Sequence, residues 1–139
     1  MNHPCRFAIA LALLLSLSAC STPKAPDGGP AEKGRDGTIA YQVLVESNEP
    51  GVRIEVNNDY VGTTPLTIKV FGDKDGTFHN FGSPHFVIRA LPVKPGQNRQ
   101  SKTFRTGGWF AAEDTIPRRI FFDMSLPDND GTGAAPPRY

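Results

Sequence analysis

The stretch Val52-Arg53-Ile54-Glu55-Val56-Asn57-Asn58-Asp59-Tyr60-Val61 decides the fold class. Val52, Ile54 and Val56 alternate with Arg53, Glu55 and Asn57, and an apolar residue at every second position is the pattern of a strand with one buried face. Asn57-Asn58-Asp59 then leads directly into Tyr60-Val61. Asn and Asp tolerate the positive φ angles that tight hairpin turns require, so this is a hairpin signal. The same period recurs on both sides. Ile39, Tyr41, Val43 and Val45 alternate with Ala40, Gln42, Leu44 and Glu46; beyond Thr64-Pro65, Leu66, Ile68 and Val70 alternate with Thr67 and Lys69. Phe86, Ile88 and Ala90 predict another strand, and Ile120, Phe122, Met124 and Leu126 a last one. No segment of this region carries a helical stripe. Several short strands separated by turn residues predict an all-β, small single-domain β-sandwich over residues 39–126, with Ile54 and Phe122 in its core.

The flanks differ in composition. Residues 20–38, after the cysteine, are Pro, Gly, Ala, Ser, Thr and charged residues with nothing apolar larger than Pro, too little to offset the entropy of ordering. They predict a flexible tether with a reach of roughly 20 to 25 Å. Residues 127–139, with Asn129-Asp130-Gly131 and Pro136-Pro137, predict a disordered tail. At the front, Arg6 precedes an apolar run from Phe7 to Leu15 and the small-residue stretch Ser16-Leu17-Ser18-Ala19, the layout of a cleaved signal helix over residues 1–19. The run is about half of the roughly 20 residues a spanning helix needs.

Leu17-Ser18-Ala19-Cys20 resembles the lipobox of bacterial lipoproteins. The resemblance implies a diacylglyceryl group on Cys20, cleavage before it and further acylation of the new amino group, so that two or three chains hold the protein on a membrane. Ser21 in place of Asp implies release to the outer membrane of a Gram-negative cell. Removing residues 1–19 would also remove Arg6, the single charged residue there, leaving fourteen basic and fourteen acidic residues of the fifteen and fourteen in the whole chain. A balanced chain without a basic stripe argues against nucleic acid as a partner. Cys5 would leave with the signal, and no disulfide could then support the fold.

From Ser47 to Leu66 the chain, including Glu49-Pro50-Gly51-Val52 and Gly62-Thr63-Thr64-Pro65-Leu66, resembles the PEGA domain. The physics suits the places: Pro50 and Gly51 turn the chain, Gly62 permits close approach, and Pro65 fixes φ at a strand entrance. The resemblance implies a prealbumin-like or carboxypeptidase-regulatory-like sandwich in a bacterial envelope protein, with no catalysis of its own. Asn58 stands where the family commonly has Gly, and residues 72–84 read as an inserted loop.

Candidate sites are few. His79 and His85, with Asp73 or Asp75, would offer zinc ligands, but their spacing matches no closed motif. Asp73-Lys74-Asp75-Gly76 and Asp128-Asn129-Asp130-Gly131 begin like calcium loops and lack the later acidic positions, which leaves turn chemistry as the simpler account. Neither metal nor cofactor is expected. No nucleophile elbow, zinc-protease motif or phosphate loop occurs, and Glu113-Asp114 reads as a solvated pair, so no catalytic residue is assigned and a non-enzyme is expected. Gly107-Gly108-Trp109-Phe110 has two readings: an exposed loop that stacks on a sugar or a protein, or a cap on one end of the core, favoured because large aromatics are mostly buried. Phe121 should point outward between Ile120 and Phe122, beside Arg119 and Asp123, and mark a contact surface. The expected function is a membrane-anchored envelope lipoprotein contacting an envelope protein or cell-wall glycan through the loop around Trp109 and Phe110; the alternative is an accessory subunit of a larger envelope complex, whose partner covers a sheet edge or the Phe121 face.

Overall fold

Asn57 and Asn58 take φ angles of 48° and 78° and close the expected hairpin between β2 (Arg53–Val56) and β3 (Asp59–Thr63). The computed structural model describes residues 31–108 and 110–128. The ladder shifts by one residue between Ile54 and Glu55, which pair with Gly62 and Tyr60. Val61, between them, is the extra residue of a β-bulge and is exposed.

The remaining strands are β1 (Ile39–Ser47), β4 (Leu66–Gly72), β5 (His85–Leu91), β6 (Gln100–Arg105) and β7 (Arg119–Phe122). They form a three-stranded sheet in the order β4-β1-β7 and a four-stranded sheet in the order β3-β2-β5-β6. β1 pairs antiparallel with β4, from Ile39 opposite Gly72 to Val45 opposite Leu66, and parallel with β7, from Leu44 opposite Arg119 to Ser47 opposite Phe122. The all-β sandwich is thus as expected. Alternation also places the side chains correctly: Val43, Val45, Ile54, Ile68, Val70, Ile88, Ala90, Ile120 and Phe122 are buried in one core.

Four local differences have physical causes. β6 has no apolar alternation in Gln100-Ser101-Lys102-Thr103-Phe104-Arg105; it becomes a strand because it pairs with β5 over residues 85–90. The last strand stops at Phe122, since Asp123 starts a turn in which its carboxylate accepts from Ser125 N–H (3.0 Å) and Leu126 N–H bonds the Asp123 carbonyl (3.3 Å). Met124 remains buried, whereas Leu126 is 50 % exposed and not a core residue. The loop between β4 and β5 is no passive insertion: Phe78 is fully buried, its ring 4.9 Å from Phe104 and 5.0 Å from Phe86. Finally, Glu32 to Thr38, expected in the tether, lies on the sandwich. Ala40 N–H bonds the Glu32 carbonyl (2.9 Å), Lys69 pairs with Glu32 (2.6 Å), and Thr38 is buried. Residues 1–30, which hold the expected signal helix, Cys20 and the start of the tether, and residues 129–139 lie outside the described residues.

The corner between β1 and β2 is tied to the β3–β4 step by one side chain. Thr64, buried, accepts the Val52 N–H at Oγ1 (3.1 Å), with Ser47 Oγ at 2.8 Å and the Glu49 carbonyl at 3.2 Å. The two backbones also bond directly, Gly51 N–H to Thr64 O and Thr64 N–H to Val52 O, both at 2.9 Å. Gly51 turns with φ 74°, a conformation that favours glycine.

Two outcomes follow from this packing. Ile54→Ala and Phe122→Ala, each at a buried site, should each lower unfolding free energy by about 2 to 5 kcal/mol in denaturant titration; no change in midpoint would place these residues outside a cooperative core. Thr64→Val should cost about 1 to 3 kcal/mol because the buried Val52 N–H loses an acceptor. Thr64→Ser, which keeps the hydroxyl, should recover most of it.

Candidate functional site

Between β6 and β7 the chain rises into a small hairpin whose base is a charged clamp. Arg105 N–H donates to Asp114 Oδ2 (2.7 Å), its guanidinium donates to Oδ1 (2.8 and 3.2 Å), and Asp114 N–H returns a bond to the Arg105 carbonyl (2.9 Å). The hydrogen bonds from Arg105 hold the Asp114 carboxyl below the usual carboxylate range, more than offsetting the opposing effect of burial. Asp114 therefore ties the base of the hairpin, which the expected solvated pair did not foresee, whereas Glu113 is exposed as expected, its side chain lying over Gly107 where any Cβ would collide with it. Gly107 has φ 90°.

Above the clamp, Gly108 and Ala111 exchange backbone bonds, 3.1 Å from Gly108 N–H and 3.3 Å from Ala111 N–H. Phe110 stands in the turn and is 98 % exposed. The core-cap reading of this aromatic is overturned: the turn glycine Gly107 and the Gly108–Ala111 bridge leave Phe110 in solvent. Trp109 lies outside the described residues.

Phe121 is 45 % exposed and faces outward from β7, as its alternation with Ile120 and Phe122 requires. The Arg119 guanidinium lies 5.8 Å from its ring centroid and is paired with Glu46. Leu44, opposite Arg119 on β1, is 37 % exposed. Two different elements therefore present the expected aromatic surfaces, a hairpin tip and a sheet face.

The histidines do not converge. His79 Nδ1 bonds Asp73 Oδ1 at 2.9 Å, and its ring lies 4.7 Å from Phe81, whereas His85 starts β5 on the exposed side. Among the described residues no three His, Cys, Asp or Glu side chains gather as a metal would need. Asp75 accepts from the Thr77 hydroxyl (2.8 Å) and N–H (3.2 Å), and these bonds lower its carboxyl pKa; Asp73-Lys74-Asp75-Gly76 is a turn. Of the other calcium-like stretch, Asp128 is described and residues 129–131 are not.

Sequence reasoning missed one concavity. A groove of about 380 Å³ lies among Tyr41, Gln42, Lys74, Gly76, Ile116 and Arg118, residues that only the tertiary fold brings together. Tyr41 donates its hydroxyl proton to the Asp73 carbonyl (2.5 Å) at this end of the sandwich, and burial raises its pKa.

With strands, corner and loops in place, the comparison with known families bears on their meaning. A PEGA domain is found at residues 40–74. That span holds β1 from its second residue, β2 to β4, the Asn57-Asn58 turn and the Thr64 tie. β5, β6, β7 and the hairpin carrying Phe110 lie beyond it. No curated protein and no solved structure matches the chain.

The clamp makes a pH-dependent contribution. Because the folded pKa of Asp114 is depressed, its stabilisation is present above the unfolded value of about 3.9 and is lost as pH falls through the lower folded value. Asp114→Asn should therefore melt below the native chain at pH 7, and the difference should shrink as pH is lowered through about 4 toward 2. A difference independent of pH would mean that the carboxylate charge plays no part.

Proposed function

We propose that this chain is a bacterial envelope lipoprotein, held on a membrane by acyl chains on Cys20, whose sandwich serves as a non-catalytic structural or binding module. The observation that carries the module assignment is the PEGA domain at residues 40–74. Within that span the polar groups with defined partners serve the fold: Thr64 and Ser47 tie a corner, Asn57 and Asn58 turn a hairpin, and Lys69 holds the lead-in. None is paired as a nucleophile with a base would be. The anchor is read from Leu17-Ser18-Ala19-Cys20 and the apolar run before it. Ser21 favours the outer membrane as the destination.

The partner in this reading is another envelope protein, met by the face of the three-stranded sheet around Phe121 and Leu44. Half-exposed apolar side chains beside the Arg119–Glu46 pair give an aromatic and an arginine next to one another, a combination enriched at protein contacts. Cell-wall glycan is the other candidate ligand, and a role as an accessory subunit of a larger envelope complex follows if the protein partner is stoichiometric. Nucleic acid is not a partner in this reading, given the balanced charge.

Metabolic labelling with a palmitate analogue, followed by membrane fractionation, tests the anchor. The native chain should carry label and sediment with membranes, and Cys20→Ala should lose the label. A native chain that takes no label would sink the lipoprotein reading. Crosslinking of the labelled chain then separates the partners: a stoichiometric protein adduct that Phe121→Asp abolishes supports the sheet-face contact, and retention on purified wall material alone supports glycan.

A further inference from the structure

The Phe110 hairpin and the lead-in grip the same loop. Arg35, in the 3₁₀ turn Arg35–Gly37 of the lead-in, places its guanidinium 4.6 Å from the Phe81 ring centroid. The preceding residue, Asn80, donates from Nδ2 to the Gly107 carbonyl at 3.0 Å. Two consecutive loop residues thus join the segment that continues back toward Cys20 to the base of the hairpin. Ten residues separate Cys20 from Ala31, a reach of at most about 40 Å when fully extended.

The tip itself has an unusual composition for a recognition loop. From Gly107 to Ala112 the sequence is Gly-Gly-Trp-Phe-Ala-Ala, without a charged or hydrogen-bonding side chain other than the indole. A sugar site needs polar groups placed around the aromatic to meet hydroxyls, and this stretch supplies no such set. A protein hot spot sits within a ring of contacts that excludes water once the partner is bound, and the described residues flanking Phe110, Gly108, Ala111 and Ala112, are too small to form such a ring. An exposed phenylalanine on a narrow uncharged tip suits the interfacial layer of a bilayer, where the ring enters the lipid and the backbone stays hydrated. The Arg105–Asp114 clamp below would hold the tip in a fixed direction.

We propose that the Gly107–Ala112 hairpin inserts Phe110 into the headgroup region of the membrane on which the chain is anchored, making a second point of contact that fixes the orientation of the sandwich. The inference rests on the acyl anchor proposed above. A single aromatic tip binds lipid weakly on its own; tethering supplies the high effective concentration that makes the contact persistent. With two points of attachment the domain would no longer tumble freely about its linker, and one set of sheet surfaces would be presented consistently to partners.

Trp109, the single tryptophan of the chain and the neighbour of Phe110, is a built-in reporter. The full chain, labelled in cells with a palmitate analogue and purified from membranes, is reconstituted into phosphatidylethanolamine–phosphatidylglycerol vesicles with and without brominated phosphatidylcholine. The expected result is a blue-shifted emission quenched by the brominated lipid, with quenching and shift both lost in Phe110→Asp while flotation with the vesicles persists. Thermal melting of that variant should match the native chain, because Phe110 buries almost nothing. A labelled chain that floats with the vesicles but shows unquenched emission overturns the tip contact and leaves the anchor standing. Quenching in a chain that carries no acyl label supports the tip and removes the anchor. A chain that neither floats nor is quenched, or whose emission shifts with purified cell-wall glycan and not with vesicles, overturns the proposal.

Discussion

The hydroxyl of Thr64 is the point on which the corner of the sandwich depends. It meets the Val52 N–H, Ser47 Oγ and the Glu49 carbonyl; Ser47 and Glu49 also bond each other, whereas the Val52 N–H would otherwise be stranded where β1 leaves one sheet and β2 enters the other. Buried backbone donors without partners are costly, and a chain crossing between sheets has no neighbouring strand to satisfy them. Thr64 and its own backbone bonds to Gly51 and Val52 supply what a ladder would. The Gly62-Thr63-Thr64-Pro65 step is therefore a structural device whose side chain is used at a distance of twelve or more residues in sequence.

With that corner fixed, the two sheets can close over Val45, Ile54, Ile88 and Phe122. Closure on one side needs Phe78, which the β4–β5 loop drives between Phe86 and Phe104. The backbone of that loop is set by the turn at residues 73–76 and by Phe78 N–H bonding the Asp114 carbonyl (3.0 Å). Asp114 consequently serves two elements at once, holding Arg105 through its carboxylate and the aromatic plug through its carbonyl. This coupling explains why an exposed hairpin can be rigid at its base while its tip stays free of the core.

The division of labour along the chain follows from these constraints. Residues 40–74, matched by the PEGA family, build β1 from its second residue, β2 to β4 and the corner. The remainder supplies the other half of the four-stranded sheet, the aromatic plug and the exposed Phe110 and Phe121.

Strand periodicity was legible in the sequence wherever a strand buried one face: the alternation around Ile54, Ile68 and Ile120 named core residues correctly, and Asn57-Asn58 named the turn. These are local properties, dictated by the pleat and by the φ angles asparagine tolerates. The outward direction of Phe121 was determined in the same way. Elsewhere only tertiary structure decided. β6 is a strand by pairing with β5 and not by pattern; Phe78 is core because a distant turn and Asp114 place it there; Glu32–Thr38 is docked by Lys69 and the edge of β1 despite its composition. Phe110, which the general tendency of aromatics to be buried would place inside, is exposed because the clamp, Gly107 and the Gly108–Ala111 bridge leave it in solvent. A side chain's periodicity reports which face of its own strand it occupies, whereas its burial in a loop depends on contacts from residues far along the chain.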